Sequence, residues 1–464
     1  MSSLDAIASL DFVKKLQAHG GEVYLVGGNV RDYFLGYPHK DLDLIIRKLS
    51  YEQIVSILSK LGTVNKVGKF FGILKFRAKN NPDLEIDLSL PRVEKSTGTG
   101  HRDFDVDFDP NLPIEKDLER RDFTINAMAM DLTSNQLIDP FHGSKDLKNK
   151  LIRQVFSKAF EEDPLRMLRA VQFASRFNFE IEPHTLESMT KHAALIKTIS
   201  KERIIEEIRK LFLAQKPSIG FHIMRKTRLL GEVFPFIEKM IGVLQPKKEN
   251  EDVYDHTMKV LDASRVASEM NRPGDLDIMF AALLHDTGKP NTHRFDEKKQ
   301  QISFYGHQIV SKKIARRWLN DYRATCVGVN TDRVLKLVEH HMFETKAYYS
   351  ERAIRRFVNK IGKEDIFDLI DLRIADKKGG RYPDSMKGIL NLRHRIQKEI
   401  DKKPPFGSKD LAINGHDLIA LGFKPGPLLG QIQKFLVEQV LDNPELNLKE
   451  TLENLVKEKF GSTS

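Results

Sequence analysis

Asp41 and Asp43, two carboxylates separated by a single leucine, form the first chemical signal in this chain. The residues around them, Leu42–Ile46, are typical of a strand, and residues i and i+2 of a strand point to the same face. Two carboxylates aimed at one point can hold the divalent cations that a nucleoside triphosphate needs to react. Most isolated pairs of this kind are solvated residues at a strand edge, so the interpretation depends on neighbouring motifs.

A glycine pair, Gly27 and Gly28, precedes the two aspartates and leads into a short predicted helix. Glycine allows the backbone to approach a ligand closely, and the N–H groups at the start of a helix favour phosphate. Arg31 and Asp32 follow in this helix. The glycine pair, the Arg-Asp pair and the two later aspartates together make the segment a candidate for nucleotidyl transfer.

A third carboxylate is expected from the predicted strand Leu84–Leu88, in which Glu85 and Asp87 alternate onto one face. We choose Asp87, although on its own it would equally well be a solvent-facing strand residue. Three acidic groups on adjacent strands repel one another unless cations neutralise them. Two cations held there would bridge the α-phosphate, the attacking hydroxyl and the pyrophosphate leaving group.

The segment Glu119–Asp131 combines charged residues with an apolar strand pattern. Arg120 and Arg121 offer bidentate donors suited to phosphate. Asp122 is predicted to accept a hydrogen bond from a ribose hydroxyl, and Asn126 is predicted to contact either group. Because these residues come immediately before an apolar strand, we expect them to line a cleft.

The second half of the chain carries histidines and aspartates that can act as metal ligands. They are His256, His285, Asp286, His307, His340, His341 and Asp376. Imidazole and carboxylate ligands brought together from several helices suit a divalent transition metal with open positions for water. A lone histidine is more often a surface or core residue, but a His-Asp pair followed closely by Gly-Lys is far more specific.

An α/β region followed by a helical region must position these residues. Strands are predicted at Val23–Val26, Leu42–Ile46, Ile73–Arg77, Leu84–Leu88 and Met128–Asp131, and helices at residues 5–18 and 51–61. The polar segment Pro91–Pro110 is predicted to be a mobile loop, and from about Ser144 the periodicity is helical with no convincing strand. Polar breaks near Gln245–Asp252 and Lys402–Lys409 complete a division into residues 1–142, 143–228, 229–401 and 402–464.

The composition is that of an ordinary globular protein with two to four domains: 464 residues, 40% hydrophobic and 30% charged. The net charge of +10 favours a polyanionic partner. The single cysteine, Cys326, excludes internal disulfides and cysteine-based zinc sites. No apolar run has the length of a membrane span and no cleavage signal is visible, so we expect a cytoplasmic enzyme without a membrane partner.

Several motifs occur in the order found in class II tRNA nucleotidyltransferases, the CCA-adding enzymes. The matching segments are GGNVRD, DLD, RRDFTINAMAMD, IDPFHGSKDL and EDPLRMLRAVQFASRF, and the resemblance covers residues 20–230. It implies an α/β nucleotidyltransferase head with a polymerase β-like mixed sheet, followed by an all-helical neck, body and tail. It also implies that Asp41, Asp43 and a third carboxylate hold Mg²⁺, and that CMP and AMP are transferred from CTP and ATP to a tRNA 3′ end.

The same resemblance assigns base selection to Asp163 and Arg166, which are predicted to share a helical face. An arginine that donates to a ring nitrogen and an aspartate that accepts from an exocyclic amine suit cytosine and adenine. Uracil and guanine place a carbonyl where the amine should be, and an unpaired polar group in a closed pocket costs kilocalories. The alternative is that Asp163 and Arg166 form a surface ion pair that contributes little to stability. Arg169 completes the predicted nucleotide-binding set.

The segment from Arg92 to Arg102 resembles the family's flexible loop, which is associated with the switch from C to A addition; a generic linker is the alternative. The histidine series resembles the HD phosphohydrolase superfamily. That resemblance implies a metal of the Ni, Mn, Co or Fe class and 2′,3′-cyclic phosphodiesterase or phosphatase activity. In the alternative, the HD fold serves mainly as a tRNA-binding body. Residues 402–464 resemble tail segments that contact tRNA.

Two other functions stay open for a chain that we expect to be a monomer or a homodimer. Bacterial poly(A) polymerases share much of the head pattern, but the segment VGKFFGILKF here lacks the GRRF pattern of that branch, and the end FGSTS lacks a strongly basic extension. A non-catalytic RNA-binding protein on the same scaffold would need neither the acidic residues nor the histidine series.

Overall fold

The structure is a computed structural model that describes residues 4–38, 41–67, 73–96, 104–245, 251–298, 300–345, 349–380, 386–402 and 404–461. Residues 68–72 of the VGKFFGILKF segment and residues 97–103 of the predicted loop lie outside the described residues. The chain forms two compact units, Met1–Glu238 and Lys239–Ser464. The finer division into four domains stays a prediction.

The first unit contains a sheet and surrounding helices. Its strands are β1 (Glu22–Val26), β2 (Asp41–Arg47), β3 (Gly62–Val67), β4 (Ile73–Ala78), β5 (Asn81–Ser89), β6 (Arg92–Ser96), β7 (Phe104–Phe108), β8 (Ala129–Asp131), β9 (Leu137–Ile138), β10 (Leu151–Ile152) and β11 (Glu180–Ile181). Its helices are α1 (Leu4–Ala8), α2 (Asp11–Ala18), α3 (Gly28–Phe34), α4 (Tyr51–Leu58), α5 (Ile114–Glu119), α6 (Gly143–Lys148), α7 (Ala159–Glu162), α8 (Leu165–Phe177), α9 (Pro183–His192), α10 (Lys201–Leu211), α11 (Ser218–Lys226), α12 (Leu229–Val233) and α13 (Pro235–Glu238).

Seven strands of the described part of this unit form one mixed sheet, in the order β3-β4-β5-β2-β1-β8-β9. β2 and β5 are parallel, whereas the other neighbouring strands are antiparallel. In the parallel pair, Asp41 lies opposite Glu85 and Asp43 lies opposite Asp87. The expected mixed sheet backed by helices is therefore confirmed.

Alternation along β2 separates the apolar core from the candidate site. Leu42 and Leu44 are buried, whereas Asp41 and Asp43 are exposed on the opposite face. On the face of the aspartates, beyond Asp43, lies a cluster of apolar residues formed by Tyr24, Val26, Ile45, Ile114, Leu118, Ala127 and Ala129. The opposite side of the sheet is buried by Leu42, Leu44 and Ile46 of β2 and, across from them on β1, Val23 and Leu25. Burial of this side fixes the strand register, because a shift by one residue would put the aspartates into the core.

The two helices predicted in this unit differ from the observed ones. Residues 5–18 form α1 and α2, because Leu10 is extended (φ −59°, ψ 135°) and the Ser9 hydroxyl donates to the Ala6 carbonyl at 2.8 Å. Residues 51–61 form only α4, after which the chain continues into β3, a strand absent from the prediction.

The segment predicted to be a mobile loop, Pro91–Pro110, contains the antiparallel strands β6 and β7. Arg92 pairs with Phe108, and Ser96 pairs with Phe104. The loop prediction is therefore wrong for these strand residues, because alternating residue types suit a ladder even when most are polar. The prediction of no strands after Ser144 is also wrong, since the short pairs β10–β11 and β12–β13 occur there.

The second unit is mainly helical. Its elements are α14 (Val253–Val266), α15 (Leu276–Leu284), α16 (Lys289–Thr292), β12 (Arg294–Asp296), β13 (Gln301–Ser303), α17 (His307–Asp321), α18 (Thr331–His340), α19 (Glu351–Ile361), α20 (Ile366–Gly379), α21 (Lys387–Asp401), α22 (Gly415–Ala420), α23 (Pro427–Asp442) and α24 (Lys449–Phe460). α15 is apolar, is almost entirely buried and packs against α14, α18 and α20. The last helices share a separate core formed by Ile413, Leu418, Phe423, Ile432, Leu436, Val440, Leu452 and Val456.

Arg333 joins three segments of this unit through ion pairs. Its guanidinium lies 3.2 Å from Asp277 of α15, 3.7 Å from Asp365 before α20, and also contacts Asp368 of α20. Only 16% of the Arg333 side chain is exposed. Burial raises the pKa of Asp368, and Arg333 opposes that rise. Asp368 also pairs with Arg272, and Asp365 also pairs with Lys336, but loss of Arg333 would remove the ion pair described for the buried Asp277, which is costly.

Candidate active sites of the two units

The carboxylates of β2 and β5 line an open cavity of about 830 Å³ in the first unit. The parallel register brings Asp41, Asp43 and Asp87 to its wall, and Gly28, Arg31 and Asp32 also line it. Three residues predicted to bind the nucleotide, Gly28, Arg31 and Asp32, therefore share one cavity with the three acidic residues. The cavity is wide enough for a nucleotide-sized ligand.

The acidic residues carry the electrostatic signature of a cation site. The Asp43 side chain is exposed, but the surrounding protein removes part of its water shell, and this desolvation raises its pKa. The charge of Asp87 raises the pKa further, while Arg121 opposes the rise. The buried Asp87 Oδ1 atom has no hydrogen-bond partner in the described residues, and Lys75 Nζ lies 3.5 Å away. Carboxylates that repel one another and keep an unpaired oxygen fit a divalent cation.

The start of α3 is fixed against β2 by Asn29, a residue absent from the predicted set. Its side-chain amide donates to the Asp41 carbonyl at 2.9 Å, and its carbonyl oxygen accepts from the Asp43 N–H. Gly27 has φ +66°, and a Cβ at this position would lie 2.5 Å from Arg121 Nη1. Glycine is therefore required both by the backbone conformation and by the approach of the arginine.

The two arginines predicted to bind phosphate are held from behind by Asp117, a second residue that sequence analysis missed. Asp117 is fully buried and accepts from Arg120 at 2.7 Å and from Arg121 at 3.1 Å. Burial alone would raise the pKa of Asp117, but Arg121 and Arg120 outweigh it, so the pKa is lowered. The ionised carboxylate thus fixes both guanidinium groups in place.

Asp122 points into the protein and not into the open cavity. Its oxygens accept from Asn126 at 3.0 Å and from Arg169 at 2.8 Å. Asn126 in turn accepts from Arg31 at 2.7 Å. Because these partners occupy the carboxylate, the predicted bond from Asp122 to a ribose hydroxyl stays a prediction. The four side chains link the start of α3 to α8.

Asp163 and Arg166 do not share one helix, so that part of the sequence prediction is wrong. Asp163 is extended (φ −135°, ψ 94°) between α7 and α8, because Pro164 starts the new helix. Arg166 donates to the Arg120 carbonyl at 2.8 Å, which links it to the arginines predicted to bind phosphate.

Arg203 of α10 holds Asp163, and its role was not visible in the sequence. Arg203 Nη2 donates to Asp163 Oδ2 at 3.1 Å. The other carboxylate oxygen of Asp163 accepts from the Leu165 N–H at 3.2 Å. Both oxygens of Asp163 are therefore oriented by fixed donors.

The second unit brings most of the predicted metal ligands together around Asp286. Asp286 Oδ2 lies 3.1 Å from His285 Nε2 and 3.7 Å from His256 Nε2. Asp286 Oδ1 lies 3.3 Å from His307 Nε2 and 3.8 Å from His341 Nε2. The result is two groups of potential ligands, one on each oxygen of a single carboxylate. Asp376 Oδ1 adds a further ligand 3.1 Å from His256 Nε2.

Hydrogen bonds to backbone carbonyls fix the tautomers of these histidines. The Nδ1 atoms of His285, His307 and His341 lie 2.7–2.8 Å from the carbonyls of residues 282, 304 and 338, so each Nδ1 must carry the proton that it donates. Burial and then His285 lower the pKa of His341 to about 3, so its ring is neutral at physiological pH. The Nε2 atom of His341 therefore presents a lone pair to the centre of the cluster, toward which the Nε2 atoms of His285 and His307 also point.

The Nε2 atoms of three histidines converge. His307 Nε2 and His341 Nε2 are 3.2 Å apart, and the buried His285 Nε2 has no hydrogen-bond partner within the described residues. Two ligands that each lie about 2.1 Å from a shared ion are separated by roughly 3 Å. The donor set and its spacing therefore fit divalent metal ions.

His340 does not belong to this cluster. Its Nε2 atom lies 3.7 Å from Glu339, and neither group of potential ligands includes it. Adjacent residues of a helix point about 100° apart, so only one of two consecutive histidines can face the cluster. The prediction of His340 as a ligand is thus not supported by the geometry.

Two cationic side chains, Lys289 and Arg373, lie beside this cluster of potential metal ligands. Lys289 Nζ donates to Asp286 Oδ2 at 2.6 Å and to Gln245 Oε1 at 2.9 Å. Arg373 donates to Asp376, and both line a cavity of about 230 Å³ with His256 and His285. An anionic group could therefore meet both cations beside the metal ligands.

Profiles of four protein families match successive parts of the chain. They are the poly A polymerase head domain at residues 23–153, the RNA- and SrmB-binding site of polymerase A at residues 178–241, the HD domain at residues 253–378 and tRNA nucleotidyltransferase domain 2 at residues 385–456. The order agrees with a head, a neck, an HD body and a tail.

Curated relatives match across the boundary between the two units. A multifunctional CCA protein of Hahella chejuensis is 36% identical over 402 residues, which are 81% of this chain and 88% of the relative. The chain belongs to the multifunctional CCA protein family. A second member, from Aliivibrio salmonicida, is 30% identical over 437 residues, or 90% of this chain and 98% of that protein.

Solved structures of CCA-adding enzymes share the fold of this member of the multifunctional CCA protein family. The Bacillus stearothermophilus enzyme in complex with CTP has a TM-score of 0.71 and 23% sequence identity, covering 98% of each chain. The family's nucleotidyltransferase and HD domains imply dependence on divalent metals. Among the described helices, none combines the length and the apolar composition that crossing a membrane requires.

Proposed function

We propose that the protein adds C, C and A to the 3′ end of tRNA, from CTP and ATP and without a nucleic-acid template. The observation that carries this proposal is the parallel register of β2 and β5, which sets Asp43 opposite Asp87 beside the glycine turn. Family membership supports the same function, since the curated relatives are multifunctional CCA proteins.

Asp41, Asp43 and Asp87 would hold Mg²⁺, which supplies charge neutralisation for the triphosphate and the attacking oxygen. The tRNA 3′-hydroxyl loses its proton and forms a bond to the α-phosphorus, and the bond to pyrophosphate breaks with its electron pair. Arg121 lies beside Gly27 and close to Asp43, where it can donate to the triphosphate. Asp117 holds this guanidinium in place.

We assign base selection to Asp163 and Arg166, although they come from a helix junction and not from one helix face. Asp163 accepts from an exocyclic amine, which cytosine and adenine have and uracil lacks. Arg203 and the Leu165 N–H orient this carboxylate, and the Arg120 carbonyl orients Arg166. Because these contacts orient Asp163 and Arg166 before the base binds, a wrong base would leave their polar groups unpaired, and that cost discriminates against it.

Single-nucleotide incorporation tests the proposal. Full-length protein is incubated with Mg²⁺, one labelled nucleotide, and tRNA transcripts that end before CCA, after C or after CC. We expect C on the first two transcripts and A on the third. Asp41→Ala should abolish incorporation, whereas Asp83→Ala, an exposed aspartate of β5 outside the cavity lining, should not. Adenosine tails on any RNA would instead identify a poly(A) polymerase, and tRNA binding without incorporation would identify a binding protein.

We further propose that the second unit is a metal-dependent phosphohydrolase for 2′,3′-cyclic phosphates at nucleotide or RNA ends. The two ligand groups on Asp286 favour this activity over a purely RNA-binding role, because binding RNA needs no converging imidazole and carboxylate groups. Ions of the Mn, Ni, Co or Fe class suit such mixed ligands. Water adds to the phosphorus, one ester P–O bond breaks, and the released ribose oxygen takes a proton.

Hydrolysis of 2′,3′-cyclic AMP in the presence of Mn²⁺ tests the second activity. Asp286→Ala should remove it while C addition to tRNA continues, since Asp286 lies in the other compact unit. Loss of both activities would contradict the assignment of two independent sites. We also propose that residues 402–464 contact tRNA. A cytoplasmic location and a monomeric or homodimeric state stay predictions from the sequence.

A further inference from the structure

The strands β2 and β5 bring four carboxylates to the cavity of the first unit, one more than the predicted cation site uses. They are Asp41, Asp43, Glu85 and Asp87. In the parallel register Asp41 lies opposite Glu85, and Asp43 lies opposite Asp87. Glu85 and Asp87 are two residues apart on β5, so both point to the same face. Strand geometry alone therefore does not determine which of these two carboxylates becomes the third ligand.

Lys75 of β4 distinguishes the two carboxylates. It lies opposite Asp87 in the antiparallel ladder between β4 and β5, and it lines the same cavity. Lys75 Nζ donates to Glu85 Oε1 at 2.6 Å but lies 3.5 Å from Asp87 Oδ1. The contact with Glu85 is thus a hydrogen-bonded ion pair, whereas the separation from Asp87 exceeds the length of a charge-assisted hydrogen bond.

This contrast leaves the two carboxylates in different states. Glu85 is neutralised by a direct partner, whereas the buried Asp87 Oδ1 atom has no hydrogen-bond partner in the described residues. An oxygen that is neither hydrogen-bonded nor neutralised is available to a divalent cation. If Glu85 lost its charge, the ammonium group of Lys75 would keep Asp87 as a described partner and would compete with the cation for it.

We propose that Lys75 and Glu85 form a mutually neutralising pair that reserves Asp87 for the cation. Lys75 keeps Glu85 out of the ligand set, and Glu85 keeps the ammonium group away from Asp87. Both are positioning residues, because they act through Asp87 and not on the substrate. The inference rests on the proposed nucleotidyl transfer and identifies two residues that regulate how its metal site binds. All three side chains are 39–42% exposed, so their charges can be changed without opening the core.

Mn²⁺ binding tests the pair without any turnover. The reference protein is the full chain with Asp286→Ala, which removes a ligand from both groups of the second unit. Loss of the electron paramagnetic resonance signal of free Mn²⁺ measures binding, and adding Asp41→Ala identifies the part that belongs to the first unit. Lys75→Met should tighten this binding about tenfold, because it removes a positive charge and frees Glu85. Glu85→Gln should weaken it about tenfold, because the ammonium group then pairs with Asp87.

Three further variants control these measurements. Lys75→Met combined with Glu85→Gln removes both charges and should return the Mn²⁺ affinity to within about twofold of the reference protein. Asp87→Asn should abolish binding at this site. Arg77→Met removes a positive charge from the same face of β4 outside the cavity lining and should leave the affinity unchanged.

Two results would overturn the proposal. If Glu85→Gln abolishes Mn²⁺ binding as Asp87→Asn does, and the double variant does not recover it, Glu85 is itself a ligand. If Arg77→Met tightens binding as much as Lys75→Met does, a general loss of positive charge explains the result and the contact with Glu85 has no special role.

Single-nucleotide incorporation separates this inference from the proposed function. Lys75→Met should bind Mn²⁺ more tightly but add C to tRNA more slowly in Mg²⁺, because Glu85 draws the cation away from Asp87, and the double variant should recover the rate. If no protein adds nucleotides but the Mn²⁺ affinities change as expected, the proposed function fails and the pair stands. If the wild type adds C but both single variants bind Mn²⁺ as the reference protein does, the function stands and the pair is overturned.

Discussion

Replacing Arg203 by methionine should weaken base discrimination and leave the fold intact. Arg203 Nη2 donates to Asp163 Oδ2 at 3.1 Å, and the two side chains are 27% and 22% exposed. Methionine keeps the apolar stem of the side chain and removes the donor. Asp163 then retains only the Leu165 N–H as an orienting donor, so its free oxygen can rotate away from the amine of an incoming base.

The size of the effect follows from this one contact. A hydrogen bond between charged groups contributes about 1.5–3 kcal/mol, and partial exposure to water places this one near the lower end. A loss of about 1.5 kcal/mol corresponds to roughly a tenfold change in a rate ratio. Arg203→Met should therefore reduce the preference for CTP over UTP about tenfold, mainly by accelerating misincorporation of UMP.

The assay measures kcat/KM for CTP and for UTP on tRNA transcripts that end before CCA. Arg209→Met is the matched control, because Arg209 lies on the same helix and pairs with Glu206 at the surface. A CTP-to-UTP ratio equal to that of the wild type would refute the role of Arg203. An equal loss in Arg209→Met would instead indicate a general disturbance of α10.

Three more outcomes are expected. His307→Ala should reduce hydrolysis of 2′,3′-cyclic AMP by more than about a hundredfold, whereas His340→Ala should not change the initial rate. Of these two histidines, His307 faces Asp286, and His340 lies beside Glu339. Arg333→Met should lower the free energy of unfolding in urea by about 3 kcal/mol, whereas Arg317→Met, whose side chain is 87% exposed, should have almost no effect. The pKa of Asp117 is lowered in the folded state, so the ionised carboxylate stabilises the fold at pH values above its ordinary pKa of 3.8, and this stabilisation is lost as the pH falls further. Asp117→Asn should therefore be less stable than the wild type at neutral pH but should lose less stability on acidification. Unfolding followed by circular dichroism at several pH values measures both effects.

Sequence patterns predicted the strands that carry Asp41, Asp43 and Asp87, because the relevant information is local. The alternation of apolar and acidic residues around Asp41, Asp43 and Asp87 determines both the strands and the face on which the carboxylates lie. The resemblance to CCA-adding enzymes then supplied the order of the domains, which the family profiles match.

The contacts that orient the site could not be read from the sequence. Asp117 and Arg203 meet their partners through tertiary packing, and a buried aspartate looks the same in the sequence as a solvated one. The break between Asp163 and Arg166 was signalled by Pro164, which disfavours helix in the residue before it. The choice between His340 and His341 depends on which face of α18 packs inward, and that is a property of the folded unit.

The central position of Asp286 makes the two groups of metal ligands interdependent. Because each carboxylate oxygen serves one group, an ion bound on one side changes the charge that remains for the other. The affinity for a second metal ion should therefore differ from the affinity for the first. In a titration with a chelator, the removal of one ion should change the affinity for the other. One substitution at this position removes a ligand from both groups at once, so the hydrolysis that we propose can be lost in a single evolutionary step while the first unit keeps its own acidic residues.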